Sequence, residues 1–474
     1  MSKEYDLVIL GGGTGGYVAA IRAAQLGMSV AIVEQNKLGG TCLHQGCIPT
    51  KALLKTAALY RDILHADAFG IETTEPTINL NKVHQQINGT IKTLHQGIQT
   101  LMKKHRIDVI EGTGRILGAS IFSPTAGTVS VEHEDNEENT ILLNKHVLIA
   151  TGSKPTNLPN IEVDGEYILN SDHALQLEHL PQSIIIVGGG VIGLEWASLL
   201  CDLGVEVTVI EKEASILSGE DIDVQKEVEK QLQKRGILFY TRTDIVLESI
   251  KKDTNNVTLQ TKKDGVVHDL TAEKMLLAVG RKANTKQIGL QNTEVEMKDG
   301  YIVTNDMYQT KETHIYAIGD CIGGMQLAHV ASKEGIIAVE HMAKQAPLPL
   351  NSLQVPNCVY SYPEVARIGM TEEQAKQAGY EVKIGKFPFQ GIGKAQINQT
   401  SEGFSKIISD KYTDDILGIH LVGPNVTELI SEASLAKTLD ATAWEMSQTI
   451  HPHPSLSEIM FESSLAVDGL QIHG

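Results

Sequence analysis

Compact apolar runs alternate with stretches whose apolar residues return every three or four positions, and that alternation organises the chain. Tyr5–Leu10 is an apolar run of the kind a buried parallel strand needs. A helical stretch follows over Tyr17–Leu26, and a second run over Ser29–Val33 stops at Glu34. The same succession returns later: a run over Ser183–Val187, a helix to about Leu203, and a run over Val205–Ile210 that stops at Glu211. Strand, helix, strand predicts a βαβ unit on a parallel sheet, and the unit occurs twice.

Between the copies, Lys51–His65 reads as helical. Asn81–His105 carries Val83, Ile87, Ile91, Leu94, Ile98 and Leu101 at three- and four-residue steps, which predicts an amphipathic helix. Ile107–His133 reads as strands and turns, Asp135–Asn139 as a polar loop, and Val147–Ile149 as a strand that turns sharply over Ala150–Ser153. Pro155 and Pro159 mark a linker. Lys274–Val279 leads to Gly280 and Arg281, and Ile315–Ile318 leads to Gly319 and Asp320. After Pro347 and Pro349 the texture changes to mixed strands and helices. The expected fold class is α/β. Residues 1–150 and 281–350 form one Rossmann-like domain, 151–280 a second, and 351–474 a C-terminal α+β domain.

Each copy carries G-x-G-x-x-G at its first turn: Gly11, Gly13 and Gly16, then Gly188, Gly190 and Gly193. The first glycine permits the tight turn, the second lets the backbone approach a pyrophosphate, and the third lets helix and strand pack closely. Unpaired N–H groups at the helix start attract the phosphates. Glu34 and Glu211 stand where an acidic residue accepts from a ribose diol. One such motif is weak evidence; two complete units predict two dinucleotide sites.

The bulk numbers narrow the field. With 474 residues the chain is too long for one core. Its 42% hydrophobic and 21% charged residues are those of a globular protein. A net charge of −18 argues against nucleic acid and suits a basic partner surface. The longest apolar run, Ile184–Leu200, is interrupted by Gly188, Gly189, Gly190, Gly193 and Glu195, so no membrane span is expected. Asp6 and the early glycines argue against a signal peptide, and five cysteines do not make a disulfide scaffold. A cytoplasmic protein is expected, with Cys201, Cys321 and Cys358 as buried small apolar residues.

Chemistry concentrates in Gly39–Lys51, GGTCLHQGCIPTK. Cys42 and Cys47 are a disulfide, half a metal site or a redox switch. Zinc would need two more ligands at recognisable spacing, and none appear. The four intervening residues can span one helical turn, and a helix start and Lys51 would favour thiolate, so a redox-active disulfide is the reading preferred. In the tail, His451-Pro-His-Pro-Ser-Leu-Ser-Glu458 offers His453 and Glu458 as an acid–base unit, a weak motif by itself. Asp320, closing a buried strand, is a candidate for a sugar hydroxyl.

Together these motifs resemble the pyridine nucleotide–disulfide oxidoreductases over essentially the whole chain, and within them the branch that oxidises dihydrolipoamide. GGTCLHQGCIPTKALL is similar to the family's redox motif, VGGGVIGLE to its NAD site, AIGD to a second flavin contact, and IHPHPSLSE to its C-terminal catalytic motif. The resemblance implies that Gly11, Gly13, Gly16, Glu34, Thr41, Lys51, Gly114, Thr151, Gly152, Asp320, Gln326, Leu327, Ala328 and His329 bind FAD. It implies Gly188, Gly190, Gly193, Glu195, Glu211, Gly280 and Arg281 at NAD, with Lys51 pairing Glu195. Cys42 would be the interchange thiol that meets substrate, Cys47 the thiol facing flavin, His453 the base and Glu458 its orienting partner. The tail would serve the neighbouring subunit of a homodimer, making 351–474 the dimerisation domain.

Several positions depart from the family pattern: His44-Gln45 for Asn-Val, Thr50 for Ser or Lys, Ser455 for Thr, and Ala283 for Pro. NADP-specific relatives place arginines after the second strand, whereas Glu211 here would repel a 2′-phosphate and suits NAD. Mercuric and large thioredoxin reductases add a C-terminal cysteine pair, which the ending LQIHG lacks. What remains is oxidation of dihydrolipoamide to lipoamide, with another NAD-linked low-molecular-weight disulfide reductase as the alternative. The implied partner is the acyltransferase core of a 2-oxoacid dehydrogenase complex, branched-chain complexes included.

Overall fold

The computed structural model describes residues 3–119, 127–133 and 138–473. The loop expected over Asp135–Asn139 falls largely outside them. By its internal contacts the chain divides into two units. One is Met1–Leu53, Asn79–Thr156 and Gly280–Leu350; the other is Leu54–Ile78, Asn157–Val279 and Asn351–Gly474.

In the first unit, β1 (Lys3–Leu10) pairs in parallel with β2 (Val30–Glu34) on one side and with Thr140–Ile149 on the other. The latter strand is longer than its apolar end suggests, because pairing with β1 continues out to Lys3 opposite Leu142. Asp108–Glu111 extends the sheet beyond β2, Ile315–Ala317 pairs in parallel with Thr140–Ile149, and Val129–Glu132 and Thr113–Ile116 add an antiparallel edge. Leu7, Val8 and Ile9 are fully buried, as a strand covered on both faces requires. Helix α1 (Thr14–Gln25) buries Gly15, Gly16, Ala19, Ala20 and Ala23. Those small residues let it approach helix Ala328–Met342 closely: a Cβ on Gly335 would lie 2.9 Å from the Gly15 carbonyl oxygen.

Two short-range features differ from expectation. The helix expected from Lys51 begins earlier, as α3 (Cys47–Leu64), and is preceded by the one-turn α2 (Gly40–Gln45). Gly46 separates them, leaving the helical region at φ −144°, ψ −115°, where a Cβ would lie 3.0 Å from the Thr41 carbonyl oxygen. Helix α4 (Leu80–Lys104), capped by Asn79 accepting from the Lys82 N–H, buries Ile87, Ile98 and Met102 but leaves Leu94 and Leu101 exposed. Its apolar stripe is therefore only partly core.

In the second unit a five-stranded parallel sheet runs Leu238–Tyr240, Glu206–Ile210, Ser183–Val187, Lys274–Leu277, Ile168–Asn170. An antiparallel sheet of five strands forms the C-terminal part, with Phe404–Asp410 and Ile416–Gly423 buried along their whole length. Of the scattered cysteines only Cys321 is fully buried; Cys201 and Cys358 are partly accessible.

Candidate active site

At the end of β1 the chain turns through Gly11 at φ +102°, where a Cβ would sit 2.4 Å from the Ala150 carbonyl oxygen. A Cβ on Gly16 would lie 1.9 Å from the Gly11 carbonyl oxygen, so the helix start rests directly on the strand end. Gly13 caps α1 with no side chain, which leaves the first N–H groups of the helix for an anion. Glu34 accepts from the Gly12 N–H at 2.7 Å and from the Asn36 N–H at 2.8 Å, fixing its carboxylate beside the loop.

Other expected flavin contacts gather in the same unit. Gly152 has φ +66°, and a Cβ there would meet nothing within 4 Å; Gly114 packs on Leu10. Asp320 accepts from the Ser153 hydroxyl, with Arg281 3.9 Å away. Gln326 takes a left-handed φ of 49°, and its Nε2 is buried with no hydrogen-bond partner. Leu327, Ala328 and His329 open the helix Ala328–Met342. An uncapped helix start, open space before a glycine and an orphaned buried amide donor together fit a large polar cofactor such as FAD.

Arg281, expected at the nicotinamide nucleotide, makes its hydrogen bonds to Ser153. Its Nε donates to the Ser153 hydroxyl at 2.8 Å and its Nη2 to the Ser153 carbonyl at 2.9 Å, because Arg281–Ala283 pairs with Ser153–Pro155. Sequence reasoning also misses Glu334. This buried carboxylate accepts from the Gly319 N–H at 2.6 Å, and burial pushes it up to about 7 against that bond, with Asp320 adding repulsion. The partner lies on another element, so no local pattern announces it.

The redox segment follows directly. Gly39 N–H donates to the Gly12 carbonyl at 2.8 Å and Gly39 bridges Gly13, which lays the segment along the glycine loop. Cys42 sits in α2, Cys47 opens α3, and Thr41 is exposed beside them. The two cysteines are thiols in hydrogen-bond contact. That contact with Cys47, together with burial, pushes the Cys42 thiol far up, with Thr14 and Lys51 pulling the other way. Lys51 lies one turn into α3 and is half-buried. The helix start at Cys47 favours negative charge there.

In the second unit the glycine turn is built again. Gly188 has φ +110°, a Cβ on Gly193 would lie 1.9 Å from the Gly188 carbonyl oxygen, and Gly190 caps its helix without a side chain. Glu211 accepts from the Gly189 N–H at 2.6 Å and the Glu213 N–H at 2.8 Å. A Cβ on Gly190 would meet nothing within 4 Å, which leaves room for a pyrophosphate and fits a dinucleotide such as NAD. Glu195, one turn further, is buried and accepts from the Tyr360 N–H at 3.1 Å. Gly280 follows the strand Lys274–Leu277 in sequence and has φ +103°.

The tail is also in this unit. His453 Nδ1 contacts Glu458 Oε1 at 2.8 Å, and the imidazole is 78% exposed. Burial raises the Glu458 carboxyl, but the Ser455 N–H and His453 outweigh it and hold it below its ordinary value. His451 is engaged with Glu432 at 2.8 Å.

Residues 5–335 match the family described as pyridine nucleotide-disulphide oxidoreductase, and residues 355–464 match that family's dimerisation domain. The chain is 58% identical over 473 residues to a dihydrolipoyl dehydrogenase of Bacillus subtilis, with 100% of both chains covered. It is 40% identical over 475 residues to a dihydrolipoyl dehydrogenase of Zymomonas mobilis, again with 100% of both covered. Among solved structures it resembles LpdA from Mycobacterium tuberculosis, with a TM-score of 0.89 and 27% identity over 97% of this chain and 98% of that one.

Proposed function

Because the chain belongs to the pyridine nucleotide–disulphide oxidoreductase family, we propose that it oxidises dihydrolipoyl groups through the Cys42–Cys47 pair. It is a flavoprotein oxidoreductase that uses FAD and NAD, and it carries the family's dimerisation domain, as a homodimer does. When bound, FAD takes up the electron pair collected by the cysteines and NAD⁺ carries it away as hydride. The observation that carries the proposal is the thiol contact between Cys42 and Cys47, set directly behind the first glycine loop.

The residues act as follows. His453, held by Glu458, takes the proton from one substrate thiol, and the carboxylate stabilises the imidazolium that results. In the oxidised enzyme, where the two sulfurs are joined as a disulfide, the substrate thiolate attacks the Cys42 sulfur, forming a mixed disulfide and breaking the Cys42–Cys47 bond so that Cys47 leaves as thiolate. The second substrate thiol attacks the substrate sulfur of that mixed disulfide and passes its proton to the departing Cys42 sulfur, so Cys42 leaves as a thiol, the first proton stays on His453 and the cyclic disulfide is released. In the reduced state the pair shares one proton, and the start of α3 at Cys47 favours the negative charge on that sulfur. The exposure of His453 suits a base offered to the partner subunit.

We assign the partner as the acyltransferase core of a 2-oxoacid dehydrogenase complex in the cytoplasm. The net charge of −18 suits a basic docking domain on that core, and among the described residues no helix is long and apolar enough to cross a membrane. The test is Cys42→Ser: lipoamide turnover should fall to background while FAD stays bound. Full turnover in that variant would overturn the mechanism, and turnover of other low-molecular-weight disulfides in preference to lipoamide would favour the alternative substrate class.

A further inference from the structure

His44 and His95 share one acceptor. His44 Nε2 and His95 Nδ1 each lie 2.9 Å from the Leu38 carbonyl oxygen, and their rings meet edge to face at 5.3 Å between centroids. A carbonyl only accepts, so both nitrogens donate and the oxygen uses both lone pairs. His44 belongs to α2, the helix that carries Cys42, and His95 belongs to α4. The next residue, Gly39, is bonded to the Gly12 carbonyl in the first glycine loop. One peptide therefore ties three elements: the glycine loop, the long helix α4 and the short helix bearing Cys42.

We propose that His44 is a positioning residue for Cys42, holding α2 through the Leu38 carbonyl in concert with His95. The inference rests on Cys42 being the thiol that meets substrate. Helix α2 has only six residues, too few to be stable by its own hydrogen bonds, so its orientation depends on what clamps it. Gly46 breaks the helix between α2 and α3, so on that side α2 is held to α3 by the chain and by the Cys42–Cys47 contact, neither of which fixes its rotation against α4. The clamp works with His44 neutral. Burial holds His44 below its ordinary value, the Leu38 bond opposes this, His95 and Lys37 push further down, and Glu34 pulls up.

The test uses the FAD-loaded holoenzyme and reads two electron routes separately. Dihydrolipoamide reduces the enzyme through Cys42, whereas NADH-driven reduction of ferricyanide passes through the flavin without needing Cys42. His44→Phe keeps the ring and removes the donor. It should slow reduction by dihydrolipoamide about tenfold, since small misplacements of a reacting group are costly, and leave the ferricyanide rate unchanged. His44→Gln, which can still donate to the Leu38 carbonyl, should restore most of the lost rate, and His95→Phe should show a loss in the same direction. Wild-type reduction by dihydrolipoamide in His44→Phe, or equal slowing of both routes, would overturn the clamp. A wild-type holoenzyme that dihydrolipoamide fails to reduce would instead overturn the functional reading, and the inference with it.

Discussion

The two βαβ copies share one local geometry and differ in what the chain does next. Gly11 and Gly188 turn at φ +102° and +110°, and Glu34 and Glu211 hold the following glycine's N–H at 2.7 and 2.6 Å. In the first copy the chain then lies back on its own loop: Gly39 bonds Gly12, and a Cβ on Gly13 would meet the Gly40 Cα at 3.9 Å. In the second, Leu217 N–H bonds the Gly189 carbonyl, but the space before Gly190 stays open. A loop partly covered by the redox segment suits a resident group, and an open one suits a nucleotide that comes and goes. The motif is common to both copies, so any difference in how they hold a ligand must come from the segment that follows it.

Placing a side chain at the turning glycine should give the largest effect and divide the copies most clearly. Valine at Gly11 or Gly188 faces a positive φ and a carbonyl oxygen 2.4 Å from its Cβ, that of Ala150 or Ala278. Each substitution should cost roughly 3 kcal/mol or more, read as a lower thermal midpoint. Gly11→Val should be purified without FAD. Gly188→Val should keep FAD and lose its response to NADH. Loss of FAD from both variants would break the assignment of one cofactor to each copy.

The next effect is confined to the surroundings of the first copy. Glu334 titrates at about 7 in the folded chain against an ordinary 4.5, so the folded state keeps its proton longer. The stability it contributes is complete below the ordinary value and is lost as pH rises through about 7, roughly 3 kcal/mol in all. Glu334→Gln keeps an acceptor for Gly319 and removes the ionisation. Denaturant titrations across that window should show a stability less dependent on pH than in the wild type, and an unchanged slope would show that Glu334 does not carry it.

The copies are legible in the sequence because everything they need lies within one short stretch: apolar runs, spaced glycines and a terminal glutamate. The Cys42–Cys47 pair is legible for the same reason. What the sequence hides depends on pairs far apart along the chain. Glu334, on helix Ala328–Met342, meets Gly319 in the turn after Ile315–Ala317, a pairing between two elements. Arg281 is expected on the nicotinamide side by its place after the second sheet's last strand, but its short strand pairs with Ser153–Pro155 and carries the guanidinium to Ser153. The break between α2 and α3 escapes notice because one glycine inside an apolar stretch does not say which backbone approaches it; here it is Thr41.

The smallest effect tests the comparison most finely. Glu34→Gln and Glu211→Gln preserve shape and an acceptor oxygen in each copy, but replace a charged acceptor by a neutral one. The N–H bonds involved are of nearly equal length, so the folded chain should lose about 1 kcal/mol in either case. Stability alone should therefore not distinguish the two variants. Ligand behaviour should. On the proposed placement of NAD⁺ at the second loop, Glu211→Gln weakens a contact made afresh in each turnover, so it should raise the KM for NAD⁺ by about tenfold and leave FAD content unchanged. On the proposed placement of FAD at the first loop, Glu34→Gln weakens a contact to a group already in place, so it should speed the loss of FAD on dilution and leave the KM for NAD⁺ alone. Equal shifts in both readouts for both variants would mean that the two copies share their ligands, and the contrast between a covered and an open loop would have no functional content.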